Sequence, residues 1–172
     1  MAPLMEGVTD PRPLTAEDNR ETFDCGRESL NQWLRRHAWR NQQDGTSRVT
    51  VVCDPETGRI AGYVTLSATT IRRAWLAKTD QRNRPDPLPA ILLGQLAVDI
   101  RHHGIGCAHL LVQYAFRTAK AFSGSIGCFG VVVHPLDAEL HAFFGRFGFR
   151  NLPFDPAESM IVRIRDLIHN GF

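Results

Sequence analysis

The sequence predicts an α/β domain: a central mixed, mostly antiparallel sheet flanked by helices. Three observations carry this. Runs rich in β-branched and apolar residues recur at 48–54, 59–71, 91–99 and 128–133, bounded by turn residues. Between them lie segments with apolar residues at helical spacing, notably Leu30, Trp33, Leu34 and Ala38, and later Leu110, Leu111, Tyr114, Ala115, Thr118 and Phe122. The length agrees: 172 residues, 43% hydrophobic and 22% charged, suffice for one compact domain over residues 1–172 whose core needs no disulfide or metal staple.

The elements follow in order. The first thirteen residues hold three Pro and read as an extended lead-in ending in a short first strand. Thr15-Ala-Glu-Asp18 offers an N-cap with a carboxylate three residues on, a start signal for a short helix. The stripe from Leu30 to Ala38 leaves Arg35, Arg36 and Arg40 mostly off its apolar face, and Asp44-Gly45 ends that helix. Arg48–Asp54 and Arg59–Ile71 are strands joined by the tight turn Pro55–Gly58. Lys78–Pro89, charged and with three Pro, reads as a loop without a core of its own. Ile91–Asp99 is apolar nearly throughout and so central and covered on both faces. A turn over His103–Ala108 leads into a helix that Ser123–Gly127 breaks. Cys128–Val133 is another buried strand, Pro135 and Asp137 open a short helix through Phe144 that stops near Gly145 to Gly148, and Phe149–Leu152 and Met160–Ile164 are short closing strands.

Composition narrows the classes. No window approaches the ~20 apolar residues of a membrane span, and the start lacks the pattern of a signal peptide, so a cytoplasmic address without a membrane partner is expected. Cys25, Cys53, Cys107 and Cys128 are far apart and form no C-x-x-C pair, which reads as reduced, mostly buried thiols. His102, His103 and His109 cluster without visible metal-ligating partners, and no metal is expected. A net charge of +2 argues at face value against nucleic acid. Its distribution argues otherwise: residues 27–48 carry five Arg against Glu28 and Asp44, and residues 72–84 carry Arg72, Arg73, Lys78, Arg82 and Arg84 against Asp80 alone. Two basic segments on a nearly neutral chain suggest one charged face, or equally a pair of solvated surface stretches.

The most informative stretch is Asp99 to Ala108. A buried strand ends, Gly104 and Gly106 strip side chains from the next residues, and a helix begins at once. Such a turn aims several backbone N–H groups and the positive end of a helix at one spot, which suits an anion such as a pyrophosphate. It is neither a Walker loop nor a dinucleotide fingerprint, and taken alone the two glycines read first as a plain tight turn.

Leu93-Gly-Gln-Leu-Ala-Val-Asp99, His103-Gly-Ile-Gly-Cys-Ala108, Val131-Val-Val-His134 and Ala142-Phe-Phe-Gly-Arg-Phe-Gly-Phe149 resemble the GNAT superfamily of N-acetyltransferases over roughly residues 20 to 165. The family's acyl-coenzyme A motif is Gln or Arg, two residues, Gly, one residue, then Gly or Ala. In one register His103, Gly106 and Ala108 take those places; in another, Arg101, Gly104 and Gly106 do. The first keeps the family's distance from Val98-Asp99 to the helix and is preferred. Phe23-Asp-Cys-Gly26, Leu30-Asn-Gln-Trp-Leu34, Asn41-Gln, Ser47-Arg and Leu96-Ala-Val-Asp99 are similar to the toxin subgroup of type II toxin–antitoxin systems.

That resemblance implies a GNAT fold, acetyl-coenzyme A as acetyl donor, and acetylation of the free α-amino group of aminoacyl-tRNA, which blocks translation. It also implies inhibition by a ribbon-helix-helix antitoxin and a homodimer. The donor's pantetheine would pair with Leu96, Ala97 and Val98, its pyrophosphate with the amides of His103, Gly104, Ile105, Gly106, Cys107 and Ala108. The Val98 N–H would hold the thioester carbonyl. Arg35, Arg36, Arg40, Arg72, Arg73, Lys78, Arg82 and Arg84 suit the phosphates of the tRNA. A tyrosine supplies the leaving thiolate's proton in such toxins, and here Phe144 takes its place. Phe144 reads as an engineered replacement of that tyrosine that leaves the fold and the donor site intact and impairs transfer, because its ring has no O–H.

Tyr63 and Tyr114 are the remaining tyrosines, and Tyr114 is placed away from the sulfur. Asp99 reads as a loop-fixing carboxylate rather than a general base, and Trp33 as core. Two other readings remain at this point: a GNAT acetyltransferase of a small amine or a protein N-terminus, and a non-catalytic acyl-coenzyme A-binding module with Phe144 natural.

Overall fold

The computed structural model describes residues Gly7–Phe172, and the lead-in over residues 1–6 lies outside them. The elements in chain order are β1 (Arg12–Pro13), α1 (Glu28–Arg36), α2 (Ala38–Asp44), β2 (Arg48–Cys53), β3 (Ile60–Ile71), α3 (Lys78–Gln81), β4 (Leu88–Val98), α4 (Cys107–Ser123), β5 (Gly130–Val133), α5 (Ala138–Gly145), β6 (Arg150–Asn151), β7 (Met160–Arg163) and α6 (Ile164–His169). The strands form one mixed sheet in the order β1-β2-β3-β4-β5-β7-β6. Pairing is antiparallel for β1 with β2, β2 with β3, β5 with β7 and β6 with β7, and parallel for β4 with β5. A parallel pair cannot be closed by a hairpin, and α4 is the crossover it requires. The expected mixed, mostly antiparallel sheet with helices is the one observed.

The chain packs into two compact units, one of residues up to Ser67 with Gly94–Ala115, the other of Ala68–Leu93 with Phe116–Phe172. In the first, Leu30 and Leu34 of α1 and Ala38 of α2 bury against Val49 and Val51 of β2 and Tyr63 of β3. Trp33 is partly buried and stacks on the Tyr63 ring at 6.0 Å and 8°. The Tyr63 hydroxyl donates to the Leu30 carbonyl at 2.7 Å, so the helix and the strand share a polar tie inside the core.

Three expectations need correction in this unit. The single helix expected from Leu30 to Asp44 is two, broken at His37 (φ −117°, ψ −29°), a break that lets Ala38 and Trp39 reach the same core as Leu30 and Leu34. Thr15–Asp18 starts no helix: Asp18 does accept from the Thr15 N–H, but its carboxylate also accepts from Nη1 and Nη2 of Arg12 at 2.8 and 2.7 Å, which clamps the turn to β1. Two of the four thiols expected to be mostly buried are so, Cys53 and Cys107, while Cys25 is partly exposed, as is Cys128 in the other unit.

In the second unit Ile71, Leu76, Leu88, Ala90, Val132 and Ile161 form the core. The expected loop over Lys78–Pro89 holds the single-turn α3, and β4 begins already at Leu88. Pro89 is tolerated there because the backbone group used is its carbonyl, which accepts from the Phe129 N–H at 2.8 Å. The strand expected over Phe149–Leu152 shortens to β6. The last strand is followed by α6, with Ile164 and Leu167 buried three residues apart on one face. The parallel ladder between β4 and β5 spans Ile91 and Leu92 only, and β4 runs on to Val98. Among the described residues no helix is long and apolar enough to cross a membrane.

Candidate active site

The first unit carries the turn that the sequence singles out. After Val98 the chain makes a 3-10 turn over Ile100–His102, passes Gly104 (φ +79°) and Gly106 (φ +83°), and enters the 17-residue α4 at Cys107. Both glycines hold left-handed backbone that a side chain would strain. The Gly106 carbonyl is already a helical acceptor, taking the Leu110 N–H at 3.0 Å. The amides that open α4 therefore point outward along its axis at its positive end, as in an anion cradle.

What holds the cradle in place is a close approach. A Cβ added at Gly62 of β3 would lie 2.9 Å from Cys107 Sγ, 3.0 Å from Leu111 Cδ1 and 3.1 Å from the Ala97 carbonyl, so only glycine lets the first turn of α4 sit so near the sheet. Burial pushes the Cys107 thiol up to about 12, so it stays protonated and serves as packing, not as a nucleophile.

The β4 end is fixed by hydrogen bonds on both sides. The Asp99 N–H donates to the Ala61 carbonyl of β3 at 2.8 Å. By strand alternation the backbone groups of Ala97 also face β3, and those of Leu96 and Val98 face the opposite edge. On that edge the Val98 carbonyl accepts from His103 Nε2 at 2.8 Å, so His103 carries its proton on Nε2. Of the two motif registers, the one with His103, Gly106 and Ala108 runs into the first turn of α4, and the one with Arg101, Gly104 and Gly106 ends just before it. Arg101, the first residue of the other, has its guanidinium bound elsewhere.

That partner is Asp99, which is fully buried. Its Oδ1 accepts from the Arg101 N–H and Nε, and its Oδ2 from Arg101 Nη2 and the Asp24 N–H, at 2.8 to 3.1 Å. Burial alone would raise the carboxyl, but the Arg101 bonds and the two backbone donors outweigh it and bring it down to about 2. Asp99 is thus an ionised anchor rather than a proton acceptor. The segment it reaches is ordered in turn: Asp24 Oδ1 accepts from the Gly26 N–H and Asn31 Nδ2, and Asn31 Oδ1 accepts from the Cys25 N–H.

Neither Asp24 nor Arg101 was singled out by sequence reasoning for this role, although Phe23-Asp-Cys-Gly26 and Leu30-Asn31 stood among the marks of the resemblance. A further pair was not foreseen: His102, 9% exposed, places Nε2 3.2 Å from the Asp54 carboxylate of the β2–β3 turn.

Phe144 lies in the second unit, on α5, 5% exposed, with its ring edge-on to Phe143 at 5.2 Å and Phe149 at 5.4 Å. It brings no proton donor. Tyr63 is buried, its hydroxyl bonded to Leu30, and burial pushes it above its ordinary range. The Tyr114 hydroxyl accepts from Thr50 Oγ1 at 3.2 Å.

The eight candidate cations divide between the units. In the first, Arg35 is bonded to the Phe23 carbonyl and to Glu28, while Arg36 is exposed and Arg40, 85% exposed, lies 3.6 Å from Asp44. In the second, Arg73 donates to the Arg84 carbonyl, and Arg84 donates to the Asp80 carbonyl and stacks 4.9 Å over Phe129, so these two brace the loop. Arg72 and Arg82 are exposed, and Lys78 lies 5.4 Å over the Phe154 ring. Among the described residues no group of His, Cys, Asp or Glu could hold a metal ion.

Residues 13–149 match the family model of the acetyltransferase (GNAT) family. The chain is 35% identical over 158 residues to a tRNA-acetylating toxin of Mycobacterium tuberculosis (strain ATCC 25618 / H37Rv), covering 92% of this chain and 94% of that one. Its fold is similar to that of AtaT complexed with acetyl-methionyl-tRNAfMet, with a TM-score of 0.88, 28% identity and coverage of 96% and 99%. It is also similar to a Tyr-to-Phe mutant of the AtaT toxin bound to the C-terminus of the antitoxin AtaR and acetyl-CoA, with a TM-score of 0.80, 28% identity and coverage of 95% and 97%.

Proposed function

The chain belongs to the acetyltransferase (GNAT) family, and from that premise we propose that it moves an acetyl group from acetyl-coenzyme A to the free α-amino group of an aminoacyl-tRNA, blocking translation. In this reading it is the toxin of a type II pair, inhibited by a ribbon-helix-helix antitoxin, and works as a homodimer in the cytoplasm. The observation that carries the reading is the anion cradle opening α4 directly after β4, in a chain that resembles a tRNA-acetylating toxin along nearly its whole length.

The residues present fit the donor. The amides of Gly104 to Ala108, freed of side chains at Gly104 and Gly106, would hold its pyrophosphate, and the side chain of His103 is turned away to Val98. Acetyl-coenzyme A supplies the acetyl group in activated form, as a thioester. With the Val98 carbonyl taken by His103, the Val98 N–H and the backbone of Leu96 are what the open edge of β4 offers. Val98 N–H would donate to the acetyl carbonyl, where negative charge gathers as the amine attacks. Arg36, Arg40, Arg72, Lys78 and Arg82, whose charged heads reach solvent, would meet tRNA phosphates, and Arg35, Arg73 and Arg84 would act mainly by holding the segments that carry them.

Phe144 sets the rate in this reading. Where the family's toxins place a tyrosine it offers no proton to the departing thiolate, and loss of a general acid typically costs about 10²–10⁴-fold. Restoring the hydroxyl tests this. In assays with labelled acetyl-coenzyme A and bulk charged tRNA, Phe144→Tyr should acetylate about 10²–10⁴-fold faster than the parent chain, with donor affinity unchanged. Equal rates would remove Phe144 from the mechanism, and no transfer to any charged tRNA would favour an acyl-coenzyme A-binding module.

A further inference from the structure

We propose that Asp99 is a positioning residue for the acceptor: it fixes the segment Thr22–Gly26, and through it the start of α1, to the end of the strand that presents Val98. This rests on the reading of α1 and α2 as a surface that receives tRNA.

Three consecutive residues after Val98 each reach the same short segment 75 or more positions away. Asp99 Oδ2 accepts the Asp24 N–H at 3.1 Å, the Ile100 N–H donates to the Asp24 carbonyl at 2.8 Å, and Arg101 Nη2 donates to the Thr22 carbonyl at 3.0 Å. Asp99 governs the last as well, because its carboxylate holds Arg101 through Nε and Nη2, both at 2.8 Å, and so aims the guanidinium. The order passes onward. Asp24 and Cys25 are bonded to the buried side chain of Asn31 on α1, and Arg35, one turn further along α1, donates to the Phe23 carbonyl at 3.0 Å. A single buried carboxylate thus links the strand end proposed to hold the acetyl carbonyl with the helix proposed to meet the tRNA.

The donor cradle has further contacts of its own beside the Asp99 cap on the turn before it: Gly62 against Cys107 and Leu111, and His103 on the Val98 carbonyl. Loosening the Asp99 link should therefore misplace the acceptor and spare the donor. That split separates positioning from mere folding, because a misfolded fraction lowers the apparent amount of enzyme and leaves both KM values alone.

The test uses the full chain carrying Phe144→Tyr as reference. Asp99→Asn keeps the shape but turns N–H groups toward the donors of Arg101 and Asp24. Arg101→Gln, at a partly exposed side chain, keeps Asp99 and removes the fork, and serves if the first variant does not fold. Each should raise KM for charged tRNA and lower kcat, together by about tenfold or more, and keep KM for acetyl-coenzyme A within about twofold. Arg101→Lys should recover part of the loss. A parallel rise in both KM values, or an unchanged KM for tRNA, would overturn the proposal.

If the reference transfers no acetyl group to charged tRNA, the substrate reading is what fails, and amide exchange decides the positioning role. The Asp24 and Cys25 amides should exchange at least about tenfold faster in Arg101→Gln while those of β2 and β3 keep their protection. Unchanged exchange at Asp24 and Cys25, or equal loss throughout the unit, would count against it.

Discussion

At the scale of single residues, charge and hydroxyls decide. Asp99 lies at about 2 in the folded chain and would titrate near 3.9 when unfolded. A depressed carboxyl stabilises the fold fully above its unfolded value, and that contribution is lost as pH falls toward the folded value. Melting temperature should therefore hold down to about pH 4 and drop between about pH 4 and 2, and Asp99→Asn should start lower and respond less over that window. A pH series of thermal melts on both proteins checks this; identical slopes would mean that Asp99 is not the group titrating. The same scale explains what the sequence hid. Asp24, Asn31 and Asp99 form one network, yet bonds between side chains far apart in sequence leave no periodicity to read. The turn at Gly104 and Gly106 could be placed before a helix, but two glycines there also suit a plain tight turn, and only the neighbouring motifs pointed to an anion cradle.

At the scale of elements, the strands were legible and the helix boundaries less so. The runs at 48–54, 59–71, 91–99 and 128–133 became β2, β3, β4 and β5 with their ends moved by a few residues. The break at His37 was not visible, because no Gly or Pro stands between Glu28 and Asp44 and the apolar spacing continues through the break. α6 was missed because six residues give fewer than two helical turns of pattern. Packing between elements makes a sharper prediction. Gly62→Ala puts a methyl where Cys107 and Leu111 already sit, so α4 must retreat from β3 and take the cradle with it. The expected result is a loss of about 1–3 kcal/mol of stability and weaker binding of acetyl-coenzyme A, by about tenfold, in calorimetric titration. Full affinity in a folded Gly62→Ala protein would mean that the cradle does not depend on this contact.

At the scale of the whole molecule, a net charge of +2 says little and its distribution says more. If α1 and α2 receive tRNA, binding should weaken with salt, by a slope of about 0.7–0.9 per phosphate contacted on logarithmic axes. The double variant Arg36→Glu with Arg40→Glu should flatten that slope by about 1.4 to 1.8 in anisotropy titrations and leave acetyl-coenzyme A binding unchanged. An unaltered slope would move the RNA to another surface. The two compact units also bear on synthesis. Each is assembled from two separate stretches, so the chain leaves the first unit after Ser67, returns at Gly94 and leaves again after Ala115. The donor cradle belongs to the returning stretch. A nascent chain released before residue 115 carries an incomplete first unit, and most such fragments lack the turn that would hold coenzyme A. Products cut short before that turn would then be unarmed, so a protein that halts translation would, on this reading, also limit the supply of its own complete copies.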